Sequence, residues 1–173
     1  MKVKQMFFSW DIWVAILVAA ISGFALFPDI PNAFAKEVYN IGISVLAIIF
    51  SVYFAALAII ISSWDNDFVG FLQKRGYYER LIFAFLASLI ILFTALVYSI
   101  FVFSLSAFWV AENSTPTRQS VYWFIGYSFW FAYGLFATIS SSIDAIKYTQ
   151  YRAKFLTLQH EGDNNKKSGN GAL

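Results

Sequence analysis

Four long apolar runs constrain this chain more than any other feature, because together they cover more than half of its 173 residues. We place them at 7–28, 41–63, 81–110 and 121–147, and the shortest has 22 residues. A helix needs about 20 residues to cross the roughly 30 Å hydrocarbon core of a bilayer. The runs are continuous and do not alternate with period two, so they are not typical of barrel strands. The sequence therefore predicts an all-α polytopic membrane protein, a bundle of four transmembrane helices.

The composition agrees with this prediction and argues against several other classes. Apolar residues make up 60% of the chain and charged residues 13%, whereas soluble domains average about 45–50% and about 25%. The chain has no cysteine and a single histidine, His160, so thiolate and His-rich metal sites are excluded. It also lacks the common nucleophile, metalloprotease and phosphate-loop motifs. We expect no cofactor, no catalytic residues, no metal and no nucleic-acid partner, and hence no enzyme.

The basic residues predict the orientation of the four runs. If the N-terminus is cytoplasmic, ten of the 12 Lys and Arg residues lie on the inner side. Inner loops of membrane proteins carry such an excess. Both termini are therefore expected in the cytoplasm, in a plasma membrane or a bacterial inner membrane. The two basic residues on the outer side are Lys36 and Arg118.

The first run has a second interpretation, as a cleaved signal peptide. Lys2 and Lys4 precede an apolar stretch, and Ala33-Phe34-Ala35 resembles a cleavage site. Against this, Asp11 and two tryptophans come before the apolar core. Cleavage would leave three spans with the same orientation.

The inner loop 64–80 contains the pattern of a short amphipathic helix, at about 66–75. Phe68, Phe71 and Leu72 fall on one face and polar residues fall opposite. The loop is a candidate docking surface for a protein partner, or else a connector that lies where its polarity places it.

The C-terminal part divides at about residue 160. We assign 1–160 to the transmembrane domain and 161–173, which is polar and without periodicity, to a disordered cytoplasmic tail. Just before it, Lys147, Arg152 and Lys154 form a basic segment. Such a segment attracts anionic lipid by about 1 kcal/mol per charge near the surface.

Small residues recur at helical spacing in all four runs. The second run has the cleanest stripe, with spacings of 3, 4, 4, 3 and 4 that keep one helix face for five turns. Helices in lipid associate through such small faces, so the stripes are candidate packing seams. Alternatively, in a homo-oligomer, serines could line a narrow wet path. The candidate residues for a seam or a path are Ser44, Ser51, Ser62, Ser88 and Ser99.

Asp11 and Asp144 are the only carboxylates inside the four runs. Charges within membrane segments are costly and normally paired. They are therefore either structural pairs or, in an oligomer, charges at the inner mouth of a pore.

Two functions from different classes follow from these patterns. The first is a homo-oligomeric pore or channel-like protein that passes ions or small solutes. The second is a non-conducting membrane interaction protein, an accessory subunit or anchor that acts through its cytoplasmic loop and C-terminal segment.

Overall fold

A computed structural model describes residues 10–26, 29–62, 77–112 and 117–169, with backbone alone at 60–61, 77–81, 145, 147–149 and 151–169. The predicted interfacial helix, with Phe68, Phe71 and Leu72, lies outside these residues. The four helices and two short strands of the described part are α1 Trp10–Leu26, β1 Asp29–Pro31, α2 Asn32–Ser62, α3 Tyr77–Glu112, β2 Arg118–Ser120 and α4 Val121–Gly169. Within the described residues the fold is helical apart from these two short strands, which confirms the predicted all-helical class, and it has four helices.

Two of the helices begin or end far from the predicted bounds of the apolar runs. α2 begins at Asn32, nine residues before the apolar run does. The backbone N–H of Asn32 donates to the Thr117 carbonyl, directly before β2, at 3.0 Å, and Pro31 has no N–H to donate to a helical turn. α4 ends at Gly169, inside the segment 161–173 that we expected to be disordered. No proline follows Pro116, so nothing in the later sequence removes a backbone donor from the helix.

A two-stranded antiparallel ribbon, which we did not predict, joins the two connections at one end of the bundle. Ile30 pairs with Gln119, and Asp29 with Ser120. The side-chain amide of Asn32 adds one more hydrogen bond beside the ribbon, because it donates to the Thr117 hydroxyl at 2.8 Å. The ribbon ties the start of α2 to the start of α4, although these residues are far apart in the chain.

α4 is the central helix of the fold. It packs along α1 on one side and along α3 on the other, and α3 in turn packs along α2. α2 contacts α4 over a shorter stretch. One broad face of α2 therefore lies away from the other helices.

Two of the described helices are long and apolar enough to cross a membrane, over Asn32–Ile59 and Ile82–Glu112. The described part of α1 is apolar but shorter, with 17 residues. Large apolar side chains cover the outside of the fold, including Phe24, which is 92% exposed, and Ile59, which is 66% exposed. Such a surface is compatible with insertion into a membrane.

Candidate functional site: the small-residue face of α2

The cleanest stripe in the sequence lies on the outside of the folded chain. All six of its members are exposed, although the spacing had first suggested a seam within the bundle: Ser44, Ala47, Ser51, Ala55, Ala58 and Ser62. The opposite face of α2 carries the bulky contacts. Leu46 is fully buried, and the ring of Tyr53 stacks on Phe85 of α3 with 5.2 Å between centroids. Because large side chains bury more apolar surface, they turn the small face outward.

The serine hydroxyls of this stripe bind to their own helix. Ser44 donates to the Asn40 carbonyl at 3.0 Å and Ser51 to the Ala47 carbonyl at 2.9 Å. Ser62 donates to the Ile59 carbonyl at 3.0 Å. A serine bonded in this way leaves no unsatisfied donor, so it is tolerated at a surface that faces lipid. The stripe is thus a smooth face about five turns long, which a second helix could approach closely.

The corresponding serines of α3 lie inside the fold. Ser99 is fully buried and Ser88 is 4% exposed. The Ser88 hydroxyl donates to the Ala137 carbonyl of α4 at 3.2 Å and shares a short hydrogen bond with the Ser141 hydroxyl. Ser88 and Ser99 therefore belong to the contact between helices within one chain.

Asp11 lies between α1 and α4. Its side chain is 7% exposed, and its carboxylate accepts a 2.7 Å hydrogen bond from the Ser140 hydroxyl. Asp11 is also the first member of the buried face of α1, which continues through Ala15, Ala19 and Gly23. Asp144 follows Ser140 by one helical turn and is half-buried. The fold thus brings Asp11 to the same end of α4 as Asp144, with Asp11 held inside a helix contact.

A polar network at the ribbon end of the bundle was not foreseen from the sequence. Gln119 accepts from the Ser106 hydroxyl at 2.9 Å and donates to the Tyr39 hydroxyl at 2.8 Å. The Tyr127 hydroxyl of α4 donates to the Val38 carbonyl of α2 at 3.2 Å. It lies against Gly42, where any side chain would overlap it. Tyr39 and Gln119 are 80 positions apart, so no local pattern could have paired them.

Within the residues described, no group of three or more His, Cys, Asp or Glu side chains is placed to hold a metal ion. Comparison with known proteins finds no family model, no curated protein and no solved structure that matches this chain.

Proposed function

We propose that the chain crosses the bilayer four times and forms homo-oligomers in which the small-residue face of α2 lines a narrow path for ions or small solutes. The orientation follows the basic residues, with both termini in the cytoplasm of a plasma or bacterial inner membrane. Asp144, near the cytoplasmic end of α4, was the sequence-based candidate for a charge at the inner mouth. In the fold it interacts electrostatically with Tyr53, on the face of α2 opposite the small residues, so the proposed path does not depend on it.

One observation carries this proposal: the small-residue face of α2 is exposed along its whole length. The neighbouring exposed positions of α2 carry Ile48, Val52 and Ile59, which suit contact with lipid chains. A Ser and Ala face of the same helix does not gain from lipid contact but permits close approach of another helix. Among the described side chains of α3, residues 82–112, no exposed face has a comparable composition, so we take a second copy of α2 as the partner.

Disulfide cross-linking tests the assembly directly, because the chain has no cysteine of its own. We expect Ser51→Cys to form a disulfide between two copies in liposomes. Ser104→Cys is the matched control, since Ser104 is exposed on α3 and binds its own helix at 2.8 Å in the same way. Equal cross-linking of the two variants, or none at Ser51→Cys and Ser44→Cys, would contradict assembly through α2.

Ion flux and thiol labelling in the same liposomes test the path. A water-soluble thiol reagent should modify Ser51→Cys and reduce flux, and it should leave Ser104→Cys unmodified. Ser51→Phe should reduce the ion flux at least tenfold, whereas Ser104→Phe should conduct like the native chain. Absence of flux from a cross-linked oligomer would refute conduction.

A second candidate is a non-conducting interaction protein that acts through the loop 64–80 and the C-terminal segment. The observation in its favour is that Ser44, Ser51 and Ser62 already satisfy their hydroxyls within α2 and need no water. This function predicts cross-linking at Ser51→Cys, no access for the water-soluble reagent, and no flux.

The orientation is tested with two single cysteines at exposed positions at the opposite ends of the bundle, Glu112→Cys and Gln150→Cys. A membrane-impermeant maleimide added to intact cells should label the first and not the second. Labelling of both from outside would refute the four-span topology.

A further inference from the structure

A groove between α2 and α4 is a prominent concavity of the described residues. It encloses about 570 Å³ and is open along one side. It exists because α2 packs mainly on α3 and meets α4 over a short stretch. Its α2 wall includes Ile48, Val52 and Ala56, and its α4 wall includes Ile139 and Ile143.

The hydroxyl groups of the α4 wall already donate to the backbone of their own helix. The Thr138 hydroxyl donates to the Gly134 carbonyl at 2.6 Å. The Ser142 hydroxyl donates to the Thr138 carbonyl at 2.8 Å. These two donors are already used, and the hydroxyl of Tyr53 on the α2 wall is buried beneath the groove surface. The surface of the groove is therefore hydrocarbon-like and suits an occupant without hydrogen-bonding groups.

The longer, α4 wall of the groove matches one leaflet of a bilayer in length. Its α4 wall extends from Leu135 to Ile146, which is about 16 Å of helix at about 1.5 Å per residue. The hydrocarbon core is about 30 Å thick, so half of it is about 15 Å. An extended acyl chain of a single leaflet therefore fits this length.

The charge beyond the end of the groove indicates which lipid would occupy it. Residues 147–154 of α4 include Lys147, Arg152 and Lys154 and no acidic residue. Positions 147 and 154 follow Ile143 by four and eleven residues, and such spacings keep one face of a continuous helix. The face that forms the groove wall thus continues into a basic segment at the membrane surface, where anionic headgroups are attracted.

We propose that this groove binds an acyl chain of an anionic phospholipid, whose headgroup lies at residues 147–154. The site rests on the membrane placement in the proposed function but is independent of conduction and of assembly through α2. It deepens the sequence-based expectation that the basic segment attracts anionic lipid by assigning the lipid tail a place between two helices.

Native mass spectrometry of the full chain tests the site, after release from nanodiscs with equal amounts of phosphatidylglycerol and phosphatidylcholine of the same chain length. We expect the protein to retain phosphatidylglycerol on the order of tenfold over phosphatidylcholine. Ala56→Trp should fill the groove and abolish retention. Ser142→Phe is a second filling variant at an exposed position that accepts bulk without disturbing the core. Ala25→Trp on α1, also exposed, is the matched control and should retain lipid normally.

The double variant Lys147→Gln, Lys154→Gln distinguishes the contribution of the headgroup to binding from that of the acyl chain. It should keep a bound lipid but lose most of the preference for phosphatidylglycerol.

Equal retention of both lipids by the native chain would overturn the proposal, as would phosphatidylglycerol retention unchanged by Ala56→Trp and Ser142→Phe. A loss of dimers with lipid retention intact in those variants would assign the groove to a second copy instead. Failure of cross-linking at Ser51→Cys leaves this result unaffected, whereas a chain that stays folded in water without detergent refutes both proposals.

Discussion

The small-residue faces of α2 and α3 share residue types and spacing but have opposite surroundings. In α3, Ser88 and Ser99 are buried, and Ser88 is bonded across to Ser141 of α4. In α2, Ser44 and Ser51 are exposed and bonded to their own backbone. The α3 face is even the less regular of the two, since it includes Ile91 and Val102.

The difference shows what a small-residue stripe means in a membrane helix. Spacing identifies a face that permits close approach, but it does not identify the helix that approaches. In α3 the partner belongs to the same chain. In α2 the stripe remains exposed after the chain has packed, and a second copy as its partner is the proposal that the cross-linking experiment tests.

The largest effect is expected from enlarging a serine on each face. Ser99→Leu should destabilise the fold by about 3 kcal/mol, because added carbon atoms in a filled contact force neighbouring helices apart. Ser51→Leu should change the monomer by less than about 0.5 kcal/mol, as expected for a surface position. Unfolding in mixed micelles measures both. Equal losses would show that α2 packs inside the chain.

A smaller loss is expected at Gly42, where α2 meets α4 at the ribbon end of the bundle. A Cβ there would overlap the Tyr127 hydroxyl, which donates to the Val38 carbonyl at 3.2 Å. Gly42→Ala should cost about 1–2 kcal/mol through overpacking, measured by the same unfolding titration. Adding Tyr127→Phe to the Gly42→Ala variant should restore part of the lost unfolding free energy, because it removes the overlapping oxygen. A double variant as unstable as the sum of the two single variants would contradict this contact.

The smallest effect is expected from the hydrogen bond between Ser88 and Ser141. A double-mutant cycle with Ser88→Ala and Ser141→Ala should give a coupling of about 0.6 kcal/mol, the average for hydrogen bonds between membrane helices. Ser51→Ala, by contrast, should leave stability unchanged within error because its hydroxyl binds only its own helix. No coupling between Ser88 and Ser141 would mean that packing alone holds α3 to α4.

The sequence by itself predicted four helices, because each of the four apolar runs is long, continuous and free of the period-two alternation of strands. It also determined the small faces: Ala15, Ala19 and Gly23 of α1 and Ser88 and Ser99 of α3 are buried at the predicted spacing. Helical periodicity is a local property, so local sequence is sufficient for it.

Only the tertiary structure decided which face meets which helix. The pairing of Ile30 with Gln119, the bond from Ser140 to Asp11 and the outward position of Ser51 all join or separate residues from different parts of the chain. The central place of α4 follows from the sum of its contacts with α1 and α3. Because small faces are nearly equivalent in composition, the choice among them depends on how bulky residues such as Tyr53 and Phe85 pack elsewhere.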